Sequence, residues 1–231
     1  MKPENIKKDL LDHRSTYLIV LLTLAVWFAQ LTTFSGQVSS GQALLESGAI
    51  FSPHILADPS QIWRLFTPIF VHASWGHVLS NMLIVFFMGR LIEEIFGHLR
   101  YLIIYLLAGI FANSAIFFLA PDVLSTGASG AVFGLFGAIA ALGYFTGDPR
   151  LKQIGKTFAV LIILQIFINL FQLGQVNIWG HIGGALGGVL LAAFIPPKAY
   201  WKWVPTTYKV SCGLIFVALM IVFIALPFMR G

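Results

Sequence analysis

Apolar runs dominate this chain. Residues 16–34, 78–96, 101–119, 128–146, 158–173, 179–195 and 210–228 are each apolar over nearly their whole length. A helix that crosses a bilayer needs about 20 such residues. In lipid, only helices and closed barrels satisfy their own backbone polar groups. Runs this long predict helices, with the fifth and sixth near the lower length limit. Charge agrees with that reading, because only 10% of the 231 residues are charged, against about 25% in soluble domains. Such a chain cannot present a solvated surface on all sides, and is expected to be an integral membrane protein that meets the lipid bilayer directly.

The basic residues set the orientation. Lys2, Lys7, Lys8 and Arg14 precede the first run, and Arg100 follows the second. Arg150, Lys152 and Lys156 follow the fourth, and Lys198, Lys202 and Lys209 follow the sixth. The alternate connections hold only Arg64, with Arg230 at the far end and Arg90 inside the second run. Cytoplasmic connections are enriched in Lys and Arg, so the N-terminus is expected inside and, after seven crossings, the C-terminus outside. The net charge of +5 therefore reports topology, and no basic patch points to nucleic acid. No small-residue cleavage site follows the first run, which reads as an anchor. The compact tails and inward N-terminus point to a bacterial plasma membrane. The division expected is a cytoplasmic tail at 1–14, a core at 15–196, a linker at 197–209 and a seventh membrane helix at 210–231. The long connection 35–77 carries Phe51, Trp63, Phe66, Phe70 and Trp75, and is expected to fold back into the interface as short amphipathic helices. The one cysteine, Cys212, excludes an internal disulfide framework. No metal or other cofactor is expected.

On this topology the polar residues gather at one depth. Ser129 opens the fourth run, His181 the sixth, and His77 with Asn81 the second, all three running from outside to inside. A serine hydroxyl attacks only when a base takes its proton, and neutral imidazole suits that task. Ser129 and His181 are therefore candidate nucleophile and base. Of the nine acids, only Asp122 lies near that depth, in a loop after Pro121, so a two-residue Ser/His mechanism is preferred to a triad. His77 and Asn81 share a helix face, and with the Ser129 N–H could donate to a developing oxyanion. Gly130, Gly134 and Gly137 thin one face of the fourth run, and Gly180, Gly184 and Gly188 one face of the sixth. Small residues four apart let helix backbones touch. A lone membrane-buried His or Asn is often only interhelical glue, but four catalytic residue types at one depth argue for a site.

These residues resemble the rhomboid intramembrane serine proteases. Gly127-Ala128-Ser129-Gly130 is similar to the family's nucleophile motif, and His181-Ile182-Gly183-Gly184 with Gly188 to its catalytic-histidine helix. His77 with Asn81, preceded by His72, resembles the oxyanion helix. Residues 89–97 fit a G-x-x-x-E-x-x-x-G pattern, and Trp63-Arg64 resembles the signature of the first loop. The likeness covers about residues 15–196. It implies an all-α polytopic membrane protein, a six-helix bundle with one additional C-terminal transmembrane helix that is dispensable for the chemistry. It implies a serine endopeptidase that cuts transmembrane protein substrates near the outer surface, with Ser129 as nucleophile, His181 as base, and His77, Asn81 and the Ser129 N–H as oxyanion hole. Trp63, Arg64 and Glu93 would be structural, and Phe133 would pack on His181 where some members carry tyrosine. A substrate helix must partly unwind to be cut, because its carbonyls are hydrogen-bonded. Water must reach the acyl-enzyme, so a polar cavity is expected above Ser129. Lateral entry is expected near the fifth run and the 173–177 loop, whose tip carries Gln172, Gln175 and Asn177. Two other classes also use chains of this kind. A pseudoprotease that escorts clients would ordinarily lack the Ser or the His. A transporter would need polar groups through the full membrane depth.

Overall fold

The computed structural model describes residues 3–171 and 177–230. Within them the regular elements are helices, apart from one isolated antiparallel bridge between Ile50 and Ser125. A short helix α1 (Pro3–Asp12) precedes α2 (Arg14–Thr33). The long connection then holds α3 (Gly41–Glu46), α4 (Ser52–Ala57) and two 3-10 turns, Pro59–Leu65 and Thr67–Ile69. The second apolar run is one continuous path, made of α5 (Trp75–Ile84), a π-helical segment (Val85–Gly89) and α6 (Arg90–Phe96). There follow α7 (His98–Leu119), α8 (Ser129–Thr146), α9 (Pro149–Leu170), α10 (Ile178–Phe194) and α11 (Thr206–Arg230). Of these, α2, α7, α8, α9 and α11 are long and apolar enough to cross a membrane, and α10 is apolar but 17 residues long. The chain is an integral, multi-pass membrane protein.

Local chemistry explains the boundaries. Ser74 caps α5, its hydroxyl accepting from the His77 N–H at 3.2 Å. Asn177 caps α10 by accepting from the Trp179 N–H at 3.1 Å. Residues 172–176, and with them Gln172, Gln175 and most of the expected 173–177 loop, lie outside the described residues, as do Lys2 and the predicted end of the fifth run. That fifth helix starts earlier than its apolar run. Asp148 accepts from the N–H groups of Arg150 (2.7 Å) and Leu151 (3.3 Å), and Pro149 takes the first helical position. A carboxylate cap followed by proline starts a helix whatever its hydropathy. Arg150, Lys152 and Lys156, expected in a connection, are instead exposed on the first turns of α9. Likewise α11 begins at Thr206, directly after Pro205, rather than at 210. The expected N-terminal tail is largely the helix α1.

Helices α7, α8 and α10 form the centre and supply much of the main core, while Ile116 and Phe117 at the end of α7 join a second cluster with Ile50, Ile55 and Leu65. The α8–α10 contact is backbone against backbone. A Cβ on Gly184 would collide with the Gly130 carbonyl, and one on Gly188 with the Gly134 carbonyl. At the opposite end of α5–α6 from His77, buried Glu93 caps α2. It accepts from the N–H groups of Ser15 and Thr16 (both 2.9 Å), the Thr16 hydroxyl (2.7 Å) and the His98 ring (2.7 Å). In the long connection, buried Arg64 donates to the carbonyls of Leu45 (2.6 Å) and Ala49 (3.1 Å), and its guanidinium lies 4.4 Å from the Trp63 ring centre. These bonds tie α3 to the 3-10 turn. On the far flank α11 packs on α7, where Phe216 stacks against Phe111 with ring centres 5.0 Å apart.

Candidate active site

The loop before α8 is held from two directions. Gly127 has φ +111°, a left-handed value that favours glycine. Its N–H donates to the Pro68 carbonyl at 2.8 Å. The Ala128 N–H faces His72 Nε2 at 3.4 Å, while His72 Nδ1 lies 3.1 Å from the Phe70 carbonyl. One neutral tautomer of His72 satisfies both bonds, donating from Nδ1 and accepting at Nε2. Burial, with the His77 ring beside it, lowers the His72 pKa to about 3 and keeps it neutral. Gly127 also leaves room for His77. A Cβ on Gly127 would lie 2.5 Å from His77 Nε2.

Ser129 is thereby the first residue of α8, where backbone N–H groups have no partner within the helix. Its hydroxyl lies 2.9 Å from His181 Nε2. His181 is buried in the first turns of α10. Phe133, one turn along α8 from Ser129, stacks on the imidazole with ring centres 4.1 Å apart and planes 5° from parallel. The other ring nitrogen, Nδ1, lies 2.6 Å from the side-chain Nδ2 of Asn169 on α9. A cavity of about 900 Å³ opens over the pair, and Ser129, His181, His77, Asn81, Phe133 and Asn169 all line it.

The remaining candidates divide by place. The Asn81 amide donates to the His77 carbonyl at 2.8 Å, which engages one of its two N–H bonds and leaves the second. Gly130 and Gly184 set the α8–α10 approach, and Gly127 and His72 shape the loop before Ser129. Trp63 and Arg64 stay in the long connection, and Glu93 sits at the other end of its helix path, so all three support the fold away from Ser129. Asp122 remains exposed in the turn after Pro121. Asn169 escaped sequence reasoning because only carboxylates were sought as a third group. The available signal was a carboxamide at the outer end of the fifth apolar run, level with His181.

Together these features define a multi-pass membrane protein with a serine–imidazole pair lining a cavity whose walls are mixed polar and apolar. The Rhomboid domain family model matches residues 59–198. The chain belongs to the rhomboid family. It is 35% identical over 185 residues to rhomboid protease GluP of Bacillus subtilis, covering 80% of this chain and 35% of that protein. It is 30% identical over 155 residues to Rhomboid-like protease 3 of Toxoplasma gondii, covering 66% and 58% of the two chains. It is 32% identical over 158 residues to RHOMBOID-like protein 7 of Arabidopsis thaliana, covering 67% and 50%. The match therefore spans about a third to three-fifths of these relatives' own lengths.

Proposed function

We propose that this protein is an intramembrane serine endopeptidase that hydrolyses peptide bonds in or near transmembrane segments of membrane proteins. The observation that carries this reading is the 2.9 Å contact between Ser129 Oγ and His181 Nε2 at the floor of the cavity. In the proposed cycle, Ser129 Oγ attacks the scissile carbonyl carbon while its proton passes to His181 Nε2. The carbonyl oxygen becomes an oxyanion, and the Ser129 N–H, His77 and Asn81 donate to it. The C–N bond breaks as His181 returns the proton to the leaving amine. Water entering through the cavity then attacks the acyl-enzyme, with His181 as base again, and releases the acid and the free serine.

The working division is a catalytic six-helix core at 15–196 and a seventh, accessory membrane helix after the 197–209 linker. We place the N-terminus in the cytoplasm and the C-terminus outside on the distribution of Lys and Arg, and take a bacterial plasma membrane as the working location. Substrate helices with Gly, Pro or polar residues unwind at lower cost and are the preferred class.

The test is labelling by a serine-directed fluorophosphonate in native membranes, with Ser129→Ala as control. Labelling of the native protein alone is expected, and equal labelling of both would remove Ser129 from the chemistry. In a companion assay, His181→Ala abolishes cleavage of a co-expressed single-span substrate while the protein still accumulates. Turnover retained in that variant would discard the assigned base.

A further inference from the structure

We infer that Asn169 is a positioning residue that accepts the Nδ1–H of His181 and so fixes the imidazole in the one tautomer able to serve Ser129. The inference rests on the reading of Ser129 and His181 as nucleophile and base.

Geometry leads to it. Asn169 lies in the last turn of α9, is 3% exposed, and brings its amide to 2.6 Å from His181 Nδ1. The opposite ring nitrogen is the one that faces Ser129, at 2.9 Å. A neutral imidazole carries one proton on its two nitrogens. To take the serine proton, Nε2 must present its lone pair, so the ring proton must sit on Nδ1 and needs an acceptor. In a buried pocket an N–H without an acceptor carries its full desolvation penalty, which favours the wrong tautomer. A carboxamide has one acceptor and two donors, which exchange places when the group turns over. Only the arrangement with Oδ1 towards the ring leaves Nε2 free.

The next residue in the chain of bonds permits that arrangement. Gln165, one turn earlier on α9, donates from Nε2 to Asn169 Oδ1 at 3.1 Å, with Asn169 Nδ2 towards the ring. Turning both carboxamides over keeps these distances and exchanges every donor and acceptor along the chain of bonds. With Asn169 Oδ1 on the ring, Asn169 Nδ2 faces Gln165 and donates to its Oε1. Every donor then finds an acceptor: Ser129 O–H to His181 Nε2, His181 Nδ1–H to Asn169, and Asn169 N–H to Gln165. When Ser129 attacks, its proton moves to Nε2. The ring becomes an imidazolium with Nδ1–H still on Asn169, and the proton leaves from Nε2 to the departing amine. No proton passes to Asn169.

The choice of a neutral group follows from where it stands. A carboxylate would orient the ring equally well, but an ionised acid on a largely lipid-facing helix carries a heavy desolvation penalty. Asn169 supplies direction without charge. The competing role is mechanical, with Asn169 merely tying α9 to α10, and it predicts loss of stability without selective loss of rate.

The experiment compares Asn169→Leu, Asn169→Ala, Asn169→Asp and His181→Ala in proteoliposomes with one single-span substrate. It reads kcat, KM, the rate of fluorophosphonate labelling at Ser129 and the unfolding temperature. Asn169→Leu and Asn169→Ala are expected to lower kcat about 100-fold, the low end of what a positioned base contributes. KM should stay within about twofold, and labelling should slow in proportion. Asn169→Asp keeps an acceptor and should recover at least tenfold of the lost kcat. If the larger leucine prevents folding, the alanine and aspartate pair decides alone. Asn169→Ala with native kcat, or Asn169→Asp as slow as Asn169→Ala, overturns the inference. A silent His181→Ala beside a fully active Asn169→Ala would discard only the role of Asn169, whereas an active His181→Ala would discard the base itself.

Discussion

Adding one methyl group at Gly130 tests whether tight helix apposition sets the active geometry. A Cβ there would lie 2.6 Å from the Ala112 Cβ on α7 and 3.5 Å from the Gly180 carbonyl on α10. Carbon atoms rest about 3.5–4.0 Å apart, so α7 and α8 must separate locally by about 1 Å. Ala112 has no rotamer to yield with, and the opposite side is closed by the α10 backbone. Overpacking of this kind costs about 1–3 kcal/mol. The second effect is on rate. Ser129 is the adjacent residue, and its 2.9 Å contact with His181 cannot survive a shift of that size. A misplacement of about 1 Å costs about 100-fold in rate. Gly130→Ala should therefore lower kcat about 100-fold in proteoliposomes and lower the unfolding temperature. Gly76→Ala is the matched control, because a Cβ at that position on α5 meets nothing within 4 Å, and it should leave both readings unchanged. A Gly130→Ala enzyme with native kcat and native unfolding temperature would refute the reasoning.

Other perturbations separate structure from chemistry. Phe133→Ala removes the ring stacked on His181, a contact worth about 0.5–1.5 kcal/mol, and should slow kcat by up to about tenfold with little change in KM. Glu93→Ala strips the N–H groups of Ser15 and Thr16 and the Thr16 hydroxyl of their acceptor. It should destabilise the protein by about 3 kcal/mol in chemical unfolding, while the folded fraction still labels at Ser129. Gly127→Ala places a side chain at φ +111° against the His77 ring, and should lower kcat far more than it lowers stability. A chain ending at residue 204 loses α11 and the Phe216–Phe111 stack. It should unfold at a lower temperature but retain fluorophosphonate labelling, and a folded truncation that fails to label would assign α11 a part in the site.

Much of this was legible from residue order because lipid enforces simple rules. A bilayer demands long apolar helices, so the runs at 16–34, 101–119 and 128–146 lie close to α2, α7 and α8. The basic residues set an orientation that brings Ser129 and His181 level, and the two side chains are in contact. Hydropathy misjudged the start of α9, because a cap by Asp148 and a proline at position 149 begin a helix independently of apolarity. It misjudged α11 for the related reason that Thr206 to Lys209 are polar yet helical. The π-helical segment at Val85–Gly89 leaves no mark on the apolar pattern. Asn81 illustrates a different limit. The helix face it shares with His77 could be read from spacing, but not the bond to the His77 carbonyl that occupies half its donors. Asn169 was missed because a carboxamide near the end of an apolar run gives no sign of which side chain it meets, and its partner stands twelve positions further on, in α10.

Backbone meeting backbone between α8 and α10 also restricts how such a protein can change over generations. At Gly184 and Gly188 every alternative amino acid is larger, so drift there is one-directional and penalised at the first step. Diversification must instead come from the cavity walls, where Phe136, Leu161 and Leu164 can exchange for larger or smaller neighbours without moving the reacting atoms. Related enzymes would then share an invariant seam while differing in the shape of the segment they accept, and inhibitors that press on those walls would discriminate between them better than any directed at the serine.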